Sequence, residues 1–138
     1  MINSRNLADL LPVVAAKASA FVDACRAAGI VVLVTSTYRD NECQTDLYAQ
    51  GRTKPGKIVT RAKAGQSWHN WRCAFDFVPM AGGVPQWSDT AAFTRCGIIA
   101  ESLGLEWAGR WQSMRELAHC QYTGGLSLTD LQAGKKVT

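Results

Sequence analysis

Leu7, Leu10, Leu11, Val14, Ala18, Phe21, Val22 and Cys25 recur at the spacing of one helix face. This predicts a helix from about Ser4 to Ala28, stopped by Gly29, which suits the left-handed position past a helix end. Ile30 to Thr35 is rich in β-branched residues and apolar at odd and even positions alike, so it predicts a central strand. Asp40 can cap a second helix, roughly Asn41 to Gln50, closed by Gly51. Residues 52–66 read as a loop interrupted by a possible short strand, Ile58-Val59-Thr60. A strand from about Cys73 to Val78 follows, stopped by Pro79, with a turn at Gly82-Gly83. Ser88 is a candidate cap for a third helix whose Ala92, Phe93, Cys96, Ile99, Ala100 and Leu103 share a face, with Gly104 as its stop. His119-Cys120-Gln121-Tyr122 is another short run, and Ser127 with Asp130 forms a capping-box start for a short last helix. Together these elements predict an α+β fold, a small, mostly antiparallel central sheet flanked by about three or four helices.

The length of 138 residues suits a single domain, 1–138, with a real core. Hydrophobic residues at 47% and charged residues at 19% exclude a disordered chain, and no apolar run could insert into a membrane. Five cysteines, an odd number without framework spacing, predict free thiols and synthesis in a reducing cytoplasm. Leu10 to Ala16 followed by Ala18-Ser19-Ala20 superficially resembles a signal peptide, but Asp9 precedes the run, Lys17 interrupts it and cleavage would cut the helical pattern in two. The net charge of +4 is unevenly placed: between Asp46 and Asp76 there is no acid, while Arg52, Lys54, Lys57, Arg61, Lys63 and Arg72 are basic. This stretch reads either as a positive lip for an anionic substrate or as a solvated loop. No nucleic-acid reading motif accompanies it, so nucleic acid is not an expected partner.

Candidate chemistry centres on Asp76, set within the apolar run Ala74, Phe75, Phe77 and Val78. A carboxylate there must be paired, hydrogen-bonded or on a metal. His69 precedes it by seven positions, so the intervening Asn70-Trp71-Arg72 must turn to bring the imidazole back over Asp76. The only other histidine, His119, follows Glu116 by three residues. Two histidines and an aspartate are three ligands of the kind zinc accepts, with a fourth position left for water and Glu116 as a spare carboxylate beside it. Zinc held by His69, Asp76 and His119 would lower the pKa of its water, Glu116 would take and return the proton, and the ion would stabilise the oxyanion. Ser67, two residues before the first ligand, is better placed to orient substrate or ligand than to act as a nucleophile, since no histidine remains to activate it. Cys73 and Cys120 are rival ligands by proximity, but alternation turns Cys73 away from Asp76 and Cys120 away from His119. A Cys-His protease has no support beyond the coexistence of the residue types.

Ser67-x-His69, six residues, Asp76 and then Glu116-x-x-His119 resembles the zinc peptidases that group D-alanyl-D-alanine peptidases with lysostaphin-type enzymes and the hedgehog domain. Upstream, Thr37-Tyr38-Arg39-Asp40, Gln44, Leu47 to Gly56 and Ile58-Val59-Thr60 are similar to the L-alanyl-D-glutamate peptidase branch, which includes phage endolysins. The likeness covers roughly residues 30 to 122. It implies a peptidoglycan hydrolase using one zinc ion and cutting the stem peptide between L-alanine and D-glutamate. The expected enzyme is a monomer, made in the cytoplasm, acting on the wall after release and lacking a separate wall-binding module. The resemblance also implies that Arg39 helps hold a substrate carboxylate or the oxyanion; the alternative is an ion pair with Asp40 or Glu42. Gln44 is implied in substrate binding, or is only a helix-face hydrogen-bonder. Trp107 and Trp111 are implied in walling the groove, or are core aromatics. The sequence departs from the family pattern at Arg72, where glycine is usual, at Ala118, often proline, and at Cys120, often aromatic; Arg72 in particular is expected to alter the turn or recharge the cleft. Two alternatives stay open: a D-alanyl-D-alanine carboxypeptidase or dipeptidase, and a zinc-stabilised binding module without turnover.

Overall fold

The computed structural model describes residues 1–138. Four helices, α1 (Pro12–Ala27), α2 (Asn41–Ala49), α3 (Thr90–Ser102) and α4 (Leu128–Gln132), accompany five strands. The strands are β1 (Val31–Ser36), β2 (Ala74–Ala81), β3 (Val84–Pro85), β4 (Glu106–Trp107) and β5 (His119–Gln121). They form one sheet in the order β1-β2-β5-β4, with β3 folded back on β2, and every pairing is antiparallel. This is the α+β architecture the hydrophobic pattern predicts.

The core lies where α1 and α3 press on β2. Phe21 of α1 meets Phe75 and Phe77 of β2 at ring-centroid distances of 5.4 and 4.9 Å, and Phe77 meets Phe93 of α3 at 5.5 Å. Val14, Ala18, Phe21 and Cys25 are all buried, on both sides of the Ala18-Ser19-Ala20 triplet, so α1 works as one continuous packing element. No helix is long and apolar enough to cross a membrane.

Trp107 is a second anchor. A Cβ built on Gly97 would lie 2.1 Å from its Cδ2, and one on Gly109 2.1 Å from its Cζ2. The indole is therefore clamped between two glycines, and its Nε1 donates to the Leu117 carbonyl at 2.8 Å, tying down the segment that leads into β5.

Several boundaries differ from expectation. The first helix starts at Pro12, because proline suits the first helical position and forces the preceding residue out of helical conformation. Leu7–Asp9 is a separate 3₁₀ turn, and Ser4 instead exchanges backbone hydrogen bonds with Thr37 and Tyr38. β1 is an edge strand, not a central one: α1 covers one face, and Val31 and Leu33 on the other are 53% and 39% exposed. Ile58-Val59-Thr60 forms no strand. β2 runs through Pro79, whose carbonyl accepts from Gln86 N at 2.8 Å. Its nitrogen faces that same side, beyond the reach of β5, so no ladder hydrogen bond is lost. The third helix is capped by Asp89, not Ser88: the carboxylate accepts from Ala92 N and adds negative charge at the helix start.

Gly97→Ala should destabilise the protein by roughly 1–3 kcal/mol through overpacking against Trp107. Urea denaturation would measure it, and unchanged stability would show that the indole yields freely.

Candidate metal centre and cleft

Asp76 sits where three strands meet, opposite Ser36 of β1 and opposite His119 of β5. A 3₁₀ turn over Trp68–Trp71 delivers His69. Ser67 caps this turn: its Oγ accepts from His69 N, while Asn70 Oδ1 accepts from Ser67 N. Arg72 closes the turn in the left-handed region at φ 61°, where glycine would be unstrained. Its guanidinium stacks on Tyr38 at 3.8 Å and donates to the Asp9 carbonyl at 2.7 Å, which offsets that cost and keeps its charge off the cleft lining.

Asp76 Oδ1 lies 3.2 Å from both His69 Nε2 and His119 Nδ1. One donor atom from each of the three residues falls within 4.8 Å of the others. The partners behind the rings decide which nitrogens face inward. His69 Nδ1 is 2.8 Å from the Thr37 carbonyl, which can only accept, so Nδ1 carries the hydrogen and Nε2 keeps its lone pair. Gln121 donates its amide nitrogen to Glu106 Oε2 at 3.2 Å, leaving its oxygen, 2.8 Å from His119 Nε2, to accept. His119 thus presents Nδ1. Two imidazole lone pairs and a carboxylate, each oriented from behind, fit a divalent zinc-type ion.

Electrostatics tie the group together. Burial alone would raise the Asp76 carboxyl, but hydrogen bonds with His119 and His69 outweigh it and hold it far below the ordinary carboxylate range. Burial pushes His69 down, against the pull of Asp76. Burial also opposes a charge on His119, yet the Asp76 contact prevails and raises it. Arg39, 13% exposed, brings Nη2 to 3.6 Å from Asp76 Oδ2, and Nη1 donates to Gln44 Oε1 at 3.2 Å. Its Nε is buried without a partner.

A cleft of about 360 Å³ opens over this group, lined among others by Arg39, Ser67, Trp111 and Glu116. Glu116 is 58% exposed, with Oε2 3.8 Å from His119 Nδ1. Trp111 lies 5.7 Å from the His119 ring, its indole fixed by Glu106 at 3.0 Å. The two tryptophans therefore divide: Trp111 walls the cleft and Trp107 belongs to the core. Gln44 is fully buried and off the cleft, donating to the Ala62 carbonyl behind Arg39. Cys73 and Cys120 point into the interior, and burial pushes the Cys73 thiol up to about 11.

The sequence profile of a family described as D-alanyl-D-alanine carboxypeptidase matches residues 60–122. Peptidoglycan L-alanyl-D-glutamate endopeptidase CwlK of Bacillus subtilis (strain 168) is 34% identical over 128 residues, 82% of this chain and 73% of CwlK. The chain belongs to this peptidase family. Solved structures agree on the fold of the peptidase. Serratia marcescens L-Ala D-Glu endopeptidase ChiX superposes with a TM-score of 0.65 at 19% identity, over 89% of this chain and 90% of ChiX. The VanB-type D,D-pentapeptidase VanY, in complex with Zn(II), gives 0.63 at 16% identity, over 90% of this chain and 78% of VanY.

Gln121 and Glu106 of the peptidase were not foreseen as site residues. Alternation along β5 puts Gln121 on the same face as His119, a signal the sequence contains, whereas Glu106 reaches the site only through the β4–β5 pairing. Gln121→Ala is expected to weaken zinc binding by about 10- to 100-fold with the fold intact. Competition with a chromogenic chelator would read it, and unchanged affinity would remove Gln121 from the ligand support.

Proposed function

We propose that the protein is a zinc-dependent L-alanyl-D-glutamate endopeptidase acting on the peptidoglycan stem peptide. The observation that carries this reading is the convergence of His69, Asp76 and His119 beside an exposed Glu116 in an open cleft. Similarity to CwlK supports the choice of bond. His69 through Nε2, His119 through Nδ1 and Asp76 would hold the ion. Zinc bound there supplies Lewis acidity toward a carbonyl oxygen and makes water easier to deprotonate.

The chain's own groups do the rest. Glu116 is anchored by its backbone N to the Ala108 carbonyl at 3.3 Å, and its exposed carboxylate takes the proton of the attacking water and delivers it to the departing amine. Arg39 sets a fixed positive charge at the cleft edge, where it steadies a substrate carboxylate or the oxyanion formed on attack. Gln44 acts one step back by holding Arg39 in place. Ser67 fixes the turn that carries His69 and, with Trp111, lines the substrate path. The cleft is complete within one chain, which suits a monomer. Buried free cysteines suit synthesis in a reducing cytoplasm followed by action on the wall, as an endolysin would require.

A module that only binds has no need of a general base, so Glu116 favours turnover. Glu116→Ala should keep zinc and fold while hydrolysis drops at least about 100-fold, whereas His69→Ala should lose both metal and activity. Metal analysis alongside a turbidity assay separates the two, and an active Glu116→Ala would sink the base. Mass spectrometry of digested peptidoglycan would identify the bond: new amino-terminal D-glutamate is expected, and loss of terminal D-alanine would move the protein to the carboxypeptidase branch.

A further inference from the structure

The zinc cleft continues into a second groove that shares Val59, Thr60, Met114 and Glu116 with it. Three arginines stand on the walls of this extension: Arg52, Arg61 and Arg115. Glu116, at the junction, is the only acid among the lining residues. Arg52 is held over the Tyr48 ring at 3.8 Å, with Nη1 donating to the Tyr48 carbonyl, so the side chain is anchored while its other donors stay free. Arg61 and Arg115 enter no ion pair. The neighbouring Lys54, by contrast, is spent on Asp46. The same groove displays three large apolar side chains open to solvent, Ile58, Val59 and Met114. Uncompensated guanidinium groups alternating with exposed apolar side chains, continuous with a reaction cleft, form a surface for a chain that is anionic and carries small apolar groups.

Resting on the function proposed above, we infer that this extension is a subsite for the carboxylate-bearing part of the stem peptide beyond the scissile bond, and that the enzyme selects free carboxylates over amidated ones. Amidation preserves shape but removes the charge that Arg52, Arg61 and Arg115 recognise, and it replaces one acceptor oxygen with an NH2 donor that a guanidinium cannot pair with. The selection acts on binding, because these side chains lie along the groove and not at the reacting carbonyl.

The test uses two synthetic stem peptides with the same L-alanyl-D-glutamate bond, one with the following carboxylates free and one with them amidated. The wild-type protein should favour the free form by about tenfold in kcat/KM, through KM, with the preference shrinking as salt rises. Arg61→Gln combined with Arg115→Gln should bring the ratio close to parity, and Arg61→Lys with Arg115→Lys should restore most of it. No preference in the wild type, an unchanged ratio in the glutamine variant, or an equal loss on both peptides would overturn the subsite. So would a loss confined to sacculi that retain phosphate polymers, which would assign the arginines to those polymers. If the wild type cuts neither peptide, the endopeptidase reading falls, and calorimetric binding then decides the groove: tighter binding of the free form upholds it, equal binding overturns it.

Discussion

A single carboxylate, Asp76, sets the arrangement of the catalytic side of this protein. It stands in an otherwise apolar strand, and its desolvation is compensated only because two imidazoles and a guanidinium converge on it. Each of those three groups arrives from a different part of the chain, and each is held by a further partner: Thr37 behind His69, Gln121 behind His119, Gln44 behind Arg39. Loss of any one would leave a polar group in the interior without its match. The cluster is thus both the place where chemistry can happen and a constraint on how β1, β2 and β5 align.

Packing and chemistry are divided between the two sides of β2. Phe75 and Phe77 face α1 and α3, and those aromatic contacts fix the strand rigidly. Asp76, between them in sequence, is thereby positioned by a core to which it does not belong. Trp107 performs a similar service for the other half of the site: clamped by Gly97 and Gly109, it holds the backbone just ahead of His119. The proposed general base and the last candidate ligand thus hang from a core residue through one indole hydrogen bond.

Much of this was legible before any coordinates. The seven-residue interval between His69 and Asp76 demanded a turn, and the Glu116-His119 pair announced a second cluster, because the candidate ligands are local to short motifs. Gly29, Gly51 and Gly104 fall at positive φ past their helices as anticipated. What escaped notice depended on contacts between distant segments. The edge position of β1 could not be told from the composition of Ile30 to Thr35, since a strand covered on one face can still carry β-branched residues on the other. The division between Trp107 and Trp111 rests on two glycines, one of them in α3, and Gln44 takes its place from the path of the 52–66 loop. Arg72 looked like a threat to the cleft, and only the position of Tyr38 reveals that its charge is turned elsewhere.

All five cysteines are buried and unpaired, and Cys25, Cys96 and Cys120 lie in the same core cluster as the phenylalanines. Oxidants attack thiolates that solvent can reach, so the core must open before these residues can be damaged. Breathing of the aromatic core is therefore the step that would expose Cys25, Cys96 and Cys120 to an oxidising medium.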